Sequence, residues 1–309
     1  MQPKLAVEIN GLKLKNPVMV ASGTFGYAEE FSNFMDLKKL GAIVTKTITL
    51  KPRQGNLPPR TCETPAGMLN SIGLENPGFK VFIDEKLPGL VRIGVPLVVS
   101  IASEGNPGEF VKLAEALEKV KGVAAIELNI SCPNIHSPQT KSRGLISQDP
   151  QATYKVVKAV RKVTTKALIT KLSPNVADIV EIAAAAQGAG SDALALINTV
   201  SGMSIDIKTK KPKIATVTAG LSGPAIRPIA VRMVWEVYQQ IKIPIIGMGG
   251  IIDASSALEF IIAGATAVSV GTGNFVNPGA VAAIIEGLKH YLAQHDIKDV
   301  AALVGSLAI

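Results

Sequence analysis

The sequence is short of cysteine and of long apolar runs, and each shortage excludes a class of protein. Two cysteines in 309 residues argue against a disulfide framework and fit a reducing compartment. They also cannot ligate a zinc ion or an iron–sulfur cluster unaided, so no metal site is expected. The first ten residues lack the apolar stretch of a signal peptide, and no apolar run reaches the length of a membrane-spanning helix. These absences predict a soluble, cytoplasmic protein without membrane attachment.

Charge and motif content argue against two further classes. The formal net charge of +8 permits a polyanionic partner, but the lysines are dispersed except for the run at 208–213. That run is typical of a solvated loop, so no nucleic-acid partner is expected. No G-x-G-x-x-G segment follows a predicted strand, which argues against a dinucleotide site of Rossmann type.

The chain alternates between apolar strands and helices rich in Ala, Lys and Glu. Aromatic residues make up only 4%, while Val, Ile, Ala and Gly are abundant, a balance that suits parallel strands buried on both faces. Eight strand-helix units can be counted, with strands predicted at 17–22, 42–49, 96–102, 124–131, 167–172, 193–199, 244–247 and 267–271. The pattern predicts an α/β fold, a single (β/α)8 TIM barrel domain over residues 1–309. A doubly wound open sheet is the alternative.

Several segments fall outside these repeating units. Alternating residues around Asn10-Gly11 predict an N-terminal β-hairpin that plugs or covers one end of the barrel. Within the first strand-helix unit, residues 29–40 are expected to be helical. The stretch 51–78, rich in proline and glycine, is expected to be a structureless but functional insertion. The stretch 200–221 is expected to make a small excursion over the active face, the C-terminal face of the barrel.

Glycines mark the carboxyl ends of the last two predicted strands, and active sites of such barrels lie at the carboxyl ends. These strands end in Gly249-Gly250 and Gly271-Thr272, where the backbone can approach an anion closely, and Gly223 offers a third such position. The sequence therefore predicts a phosphate site. Because no dinucleotide motif is present, a mononucleotide cofactor such as FMN fits better than NAD or FAD.

Charged and amide side chains stand at other strand ends. Lys46 and Lys171 are expected to face the same cavity, where a buried cation needs an anionic partner such as a reduced flavin or a substrate carboxylate. Amide and hydroxyl groups that suit a small planar ligand with an imide group stand at Asn70, Asn129, Asn198 and Thr199.

Cys132 directly follows an apolar run and precedes Pro133. Most free cysteines are small buried hydrophobes, and on the residues alone this interpretation of Cys132 stays open. Its place at the junction of a strand and a loop equally suits a reactive thiol.

Taken together, these motifs resemble the dihydroorotate dehydrogenase family. The resemblance extends over essentially the whole chain and rests on Asn129-Ile-Ser-Cys-Pro-Asn134, Asn70-Ser-Ile-Gly-Leu74, Lys46-Thr47, Asn198-Thr199, Gly249-Gly250 and Gly271-Thr272. Cysteine in the Ser-Cys-Pro-Asn motif points to class 1. The segments 21–27 and 70–78 are most similar to the class 1B catalytic subunit.

The resemblance implies a role for each site residue. It implies contacts with FMN for Ser22, Lys46, Thr47, Asn129, Lys171, Ile197, Gly223, Gly249, Gly250, Gly271 and Thr272. It implies contacts with the pyrimidine substrate for Lys46, Asn70, Ser71, Ile72, Gly73, Leu74, Asn129, Asn198 and Thr199. Cys132 is implied as the general base.

The implied activity is the FMN-dependent oxidation of dihydroorotate to orotate in pyrimidine (UMP) biosynthesis. Class 1B further implies a homodimer whose electrons reach NAD through a partner subunit that carries FAD and a 2Fe-2S cluster. The chain departs from the family pattern at Ser100, where an asparagine is expected, and after Asn134, where it reads Ile-His-Ser-Pro-Gln-Thr instead of a glycine-rich loop. The alternatives are a class 1A enzyme that uses fumarate, a flavin-dependent tRNA dihydrouridine synthase, and a phosphate-binding barrel without activity.

Overall fold

A computed structural model describes residues 3–131 and 146–309. The strands within these residues are β1 (Val7–Ile9), β2 (Leu12–Leu14), β3 (Val18–Val20), β4 (Ala42–Val44), β5 (Thr61–Thr64), β6 (Gly67–Asn70), β7 (Leu97–Ile101), β8 (Ala125–Asn129), β9 (Ala167–Lys171), β10 (Ala193–Leu196), β11 (Val200–Met203), β12 (Ile205–Asp206), β13 (Lys211–Pro212), β14 (Thr218–Ser222), β15 (Ile245–Gly247) and β16 (Ala267–Val270).

The helices lie mainly between the barrel strands. They are α1 (Gly78–Val81), α2 (Leu87–Ile93), α3 (Gly108–Glu118), α4 (Pro150–Arg161), α5 (Ile179–Gly188), α6 (Arg227–Gln240), α7 (Ala254–Ala263), α8 (Gly273–Val276) and α9 (Ala280–Gln294). A π-helical turn, Phe82–Lys86, joins α1 to α2. In the part of the chain that the structure describes, no helix is both long and apolar enough to cross a bilayer.

Eight parallel strands close into a barrel in the order β3-β4-β7-β8-β9-β10-β15-β16. Each strand pairs with the next barrel strand along the chain, and β16 pairs with β3 to close the ring. Interior side chains such as Met19, Val98 and Ile169 fill the barrel, while outward residues of the same strands pack against the helices. The predicted TIM barrel is confirmed, and the doubly wound alternative is wrong.

The predicted N-terminal hairpin closes the amino-terminal end of the barrel. Asn10 and Gly11 both adopt positive φ, 43° and 86°, which a two-residue turn between twisted strands requires. Ile9, Leu12 and Leu14 are buried against the interior residues near the starts of the barrel strands. The hairpin therefore closes the amino-terminal end with apolar side chains, and the polar residues at the carboxyl ends of the strands lie at the other, open end of the barrel.

Aspartates fix where several helices begin. The Asp149 side chain accepts from the backbone N–H groups of Gln151 and Ala152, and the Asp253 side chain forms a reciprocal capping box with Ser256. These caps satisfy N–H groups that would otherwise lack partners in the first helical turn.

Two expectations about the segments between the first three barrel strands are wrong. Residues 29–40 form only the short 3-10 turns Glu29–Phe31 and Leu37–Lys39, since the Asp36 carboxylate accepts from the Lys38 N–H and starts a separate turn. The stretch 51–78 is not structureless, because β5 and β6 form an antiparallel hairpin within it. β6 also pairs with β14, and β14 with β11, so that residues 61–70 and the excursion at 200–221 form one four-stranded sheet.

Candidate active site

A cavity of about 320 Å³ lies between the carboxyl ends of the barrel strands and the four-stranded sheet β11-β14-β6-β5. The structure brings most of the predicted site residues together in its lining. These are Ser22, Lys46, Thr47, Asn70, Ile72, Gly73, Leu74, Asn129, Lys171, Ile197, Asn198, Thr199, Gly223, Gly249, Gly250, Gly271 and Thr272.

Among the described residues, one predicted site residue is not in that lining. Ser71 is fully buried behind the wall, where Nδ2 of Asn56 donates to its hydroxyl at 2.9 Å and to its carbonyl oxygen at 3.1 Å. Asn56 thereby holds the backbone of the loop that presents Ile72, Gly73 and Leu74 to the cavity. Cys132 lies outside the described residues.

Glycines form a cradle at the ends of β15 and β16. Gly249 and Gly250 adopt φ values of 130° and 75°, where L side chains are strained. A Cβ on Gly250 would lie 2.8 Å from the carbonyl oxygen of Gly223, and a Cβ on Gly249 would lie 2.8 Å from the Cβ of Ala230. The chain therefore exposes bare backbone at this end of the cavity, which is what close approach to a phosphate requires.

Two lysines give the cavity its positive charge. Lys171 ends β9, is 5% exposed, and donates from Nζ to the Ser22 hydroxyl at 3.2 Å. Burial lowers the pKa of Lys46, an effect that Glu75 partly offsets and Arg60 reinforces. Within residues 3–131 and 146–309, neither lysine forms an ion pair within 4.0 Å. Cations without a close ion-pair partner beside a cavity favour an anionic ligand.

Amides and hydroxyls stand beside these lysines in the cavity lining and bond to one another. Nδ2 of Asn129 donates to Oγ1 of Thr47 at 3.0 Å. Nδ2 of Asn198 donates to the carbonyl oxygen and the hydroxyl of Ser131 at 3.0 and 3.1 Å, and its Oδ1 accepts from the Thr199 N–H at 2.8 Å. Each amide is thus held in one orientation with capacity left for a planar ligand.

Several lining residues have no sequence feature that points to a site. Arg60 and Glu75 both reach the cavity and form an ion pair with each other. Met68 and Phe275 add apolar surface. Arg60 lies among prolines in a segment expected to lack structure, so its sequence context carried no signal for this position. Within the described ranges, no group of three or more His, Cys, Asp or Glu side chains could hold a metal ion.

Comparisons with known proteins agree with the motifs. The family model for dihydroorotate dehydrogenase matches residues 4–292. The chain is 53% identical over 308 residues, 99% of each chain, to a protein of Trichlorobacter lovleyi named dihydroorotate dehydrogenase B (NAD(+)), catalytic subunit. Proteins of the same name from Desulforudis audaxviator and Geobacter sulfurreducens are 54% and 52% identical over 307 and 310 residues, which cover 99% and 100% of this chain and 98% and 99% of theirs.

Proposed function

The chain belongs to the dihydroorotate dehydrogenase family, and from this premise we propose that it oxidises dihydroorotate to orotate in pyrimidine (UMP) biosynthesis, with FMN as its cofactor. The observation that carries the proposal is the single cavity lining that joins a glycine cradle, two lysines and a set of oriented amides. We further propose that residues 1–309 form one FMN-binding domain.

The residues present fit FMN. Gly223, Gly249, Gly250, Gly271 and Thr272 would hold its phosphate, because the four glycines present backbone without side chains at one end of the cavity. The other cofactor contacts that we propose are Ser22, Lys46, Thr47, Asn129, Lys171 and Ile197, all of which line the same cavity. When bound, FMN supplies the acceptor for the hydride that leaves C6 of the substrate.

The amides and the loop 70–74 would orient the pyrimidine. Asn129, Asn198 and Thr199 stand on one side of the cavity, and Asn70, Ile72, Gly73 and Leu74 on another; Ser71 would act by shaping this loop. Holding a planar substrate in one orientation lowers the barrier by removing unproductive arrangements. Lys46 lines the cavity and would stabilise negative charge as it develops, because a positioned cation acts more strongly in a site that excludes water than in bulk water.

Oxidation also requires a base. Dihydroorotate loses a proton from C5 and a hydride from C6, and the C5–C6 double bond of orotate forms. We assign the proton transfer to the Cys132 thiolate, the role that the family resemblance implies. A thiolate is the competent form for this step, so the reaction should depend on the ionisation of Cys132.

The relatives are named as catalytic subunits with NAD(+) in the name, which supports a partner for this chain. We propose that the chain works as a homodimer with an electron-transfer subunit that carries FAD and a 2Fe-2S cluster and reduces NAD. We propose no nucleic-acid partner and no membrane partner for this chain. We propose a cytoplasmic location, which the low cysteine content predicts.

The colour of the protein tests the activity. The purified chain should carry FMN and be yellow, and dihydroorotate added without oxygen should bleach the flavin absorbance. Orotate, the product, should shift the absorbance without bleaching it. A yellow protein whose spectrum dihydroorotate leaves unchanged would contradict the proposed substrate. If fumarate reoxidises the reduced flavin at a rate typical of turnover, the acceptor is fumarate, as in class 1A, and the proposal of NAD is wrong.

A further inference from the structure

We infer that Glu127, a buried carboxylate to which no role has been assigned, is a positioning residue that fixes the orientation of the substrate-side amides through a chain of hydrogen bonds. Glu127 lies in β8 two residues before Asn129 and is 2% exposed. It points into the barrel interior below the cavity, as Ala125 does on the same strand. In the described part of the chain it forms no ion pair within 4.0 Å. A buried carboxylate is costly, so its retention needs a reason.

The hydrogen bonds from Glu127 run in one direction. The Ser100 hydroxyl donates to Oε1 of Glu127 at 2.7 Å. A hydroxyl has a single proton, so Ser100 must accept in its 2.9 Å contact with Oγ1 of Thr47. Thr47 therefore donates its only hydroxyl proton to Ser100, and its Oγ1 accepts from Nδ2 of Asn129 at 3.0 Å. If the Asn129 amide were flipped, its Oδ1 would face Oγ1 of Thr47, and neither oxygen would have a proton to donate.

The chain continues to the far side of the cavity. The Ser131 hydroxyl donates to Oδ1 of Asn129 at 3.4 Å, and Nδ2 of Asn198 donates to the same hydroxyl at 3.1 Å. Six side chains, three of them on or just after β8, therefore form a directed series that ends on the carboxylate. Such networks specify one arrangement when every member is satisfied. Glu127 supplies the terminal acceptor that sets the direction.

This inference rests on the proposed function for the identity of the ligand, and it predicts that Glu127 acts through Ser100. Without the carboxylate, the Ser100 proton turns to Thr47, the Thr47 proton turns to Asn129, and the Asn129 amide loses its fixed orientation. Glu127→Met removes the acceptor at similar volume, whereas Glu127→Gln keeps one oxygen that can accept. Thr170→Val is a matched control because Thr170 is buried on β9 and pairs with Ser191 on the helix side.

The experiment is a double-mutant cycle on the FMN-loaded protein, read as the Kd for orotate from the flavin absorbance. Glu127→Met should weaken orotate binding by about tenfold in the wild-type background, Glu127→Gln by less, and Thr170→Val not at all. In a Ser100→Ala background, Glu127→Met should change the Kd by less than about twofold, because the link is already cut. With FMN in excess, each variant should bind as much FMN per chain as wild-type protein does, so that the Kd for orotate is read on fully loaded protein.

Three results would overturn the inference: no effect of Glu127→Met, the same factor in both backgrounds, or an equal effect of Thr170→Val. If Glu127→Met does not fold, the Kd for orotate is measured on Ser100→Ala instead, because this variant cuts the same series of hydrogen bonds. A Kd equal to the wild-type value would then overturn the inference. If wild-type protein does not bind orotate, the proposed substrate fails instead. The same cycle read on the Kd for FMN then still decides the role of Glu127, because Thr47 and Asn129 line the proposed flavin site.

Discussion

Lys171 is held at the cavity by its hydrogen bond to Ser22, and its charge has no carboxylate partner among the described residues. We expect Lys171→Met to raise the Kd for FMN by at least about tenfold, since a hydrogen bond to a charged group contributes roughly 1.5–3 kcal/mol. Fluorescence quenching of free FMN on binding measures this Kd. Lys208→Met is the control, because Lys208 lies on an exposed turn between β12 and β13. Equal affinities in the two variants would remove Lys171 from the cofactor site.

Cys132 is expected to carry the proton transfer, and its thiol provides a pH test. A free thiol has a pKa of about 8.5, so the rate of flavin reduction by dihydroorotate should rise from neutral pH towards about pH 9 as the thiolate forms. Cys132→Ser should slow this step on the order of a hundredfold at neutral pH while FMN stays bound. Stopped-flow absorbance measures both effects. Cys62→Ser, which changes the other cysteine, should react at the wild-type rate, and the same rate in Cys132→Ser would exclude the thiol as the base.

At the residue scale, the sequence predicted the groups that stand at strand ends and missed those that work through other residues. Lys46, Asn129 and Lys171 could be found because a polar residue at the end of an apolar strand is conspicuous. Glu127 is equally unusual inside an apolar strand, but only the geometry shows that Ser100 joins it to Thr47. Such cross-strand contacts depend on register, which a single sequence does not specify.

The strand-to-helix turns after β15 and β16 can be tested by a pair of alanine substitutions. Gly250→Ala places a Cβ 2.8 Å from the Gly223 carbonyl oxygen at a φ of 75°, so it should destabilise the fold by about 1–3 kcal/mol and abolish FMN binding. Gly271→Ala places its Cβ no closer than 3.7 Å to another residue, the Cβ of Ala21. We therefore expect Gly271→Ala to keep the wild-type Tm but to weaken FMN binding, because the new methyl group occupies cofactor space.

Thermal unfolding without FMN and the Kd for FMN separate the two effects of these substitutions. If Gly271→Ala binds FMN as tightly as wild-type protein does, the turn after β16 is not part of the phosphate site. If it unfolds at a lower temperature without FMN, the glycine serves the fold instead.

At the scale of elements, the barrel could be predicted because each strand and helix has a local signature. Apolar runs of strand length recur at regular intervals, and aspartates such as Asp149 and Asp253 mark helix starts. The sheet that covers the cavity could not be predicted in this way. β6 pairs with β14, which is distant along the chain, and proline and glycine around β5 and β6 mask their extended pattern. The expected helix at 29–40 failed for a local reason, the competing turn at Asp36.

The whole molecule is built for one half of an oxidation. Its cavity joins a glycine cradle to lysines and amides, its sequence contains no G-x-G-x-x-G motif after a strand, and its two cysteines cannot ligate a cluster unaided. We therefore expect the purified chain, supplied with dihydroorotate, to reduce a small artificial dye readily but to form NADH only at a background rate. Adding the proposed electron-transfer subunit should raise NADH formation by orders of magnitude without changing the rate of flavin bleaching. Adding NAD and the dye in turn to the same preparation, and following the absorbance of NADH and of the dye, makes the comparison.

The dye reaction shows that the flavin is reduced and accessible. Slow NAD reduction by the same preparation therefore means that the chain lacks a route for electrons to NAD, and not that the enzyme is inactive. NADH formation by the chain alone at the rate of dye reduction would show that the chain transfers electrons to NAD directly, and the need for a partner would be refuted.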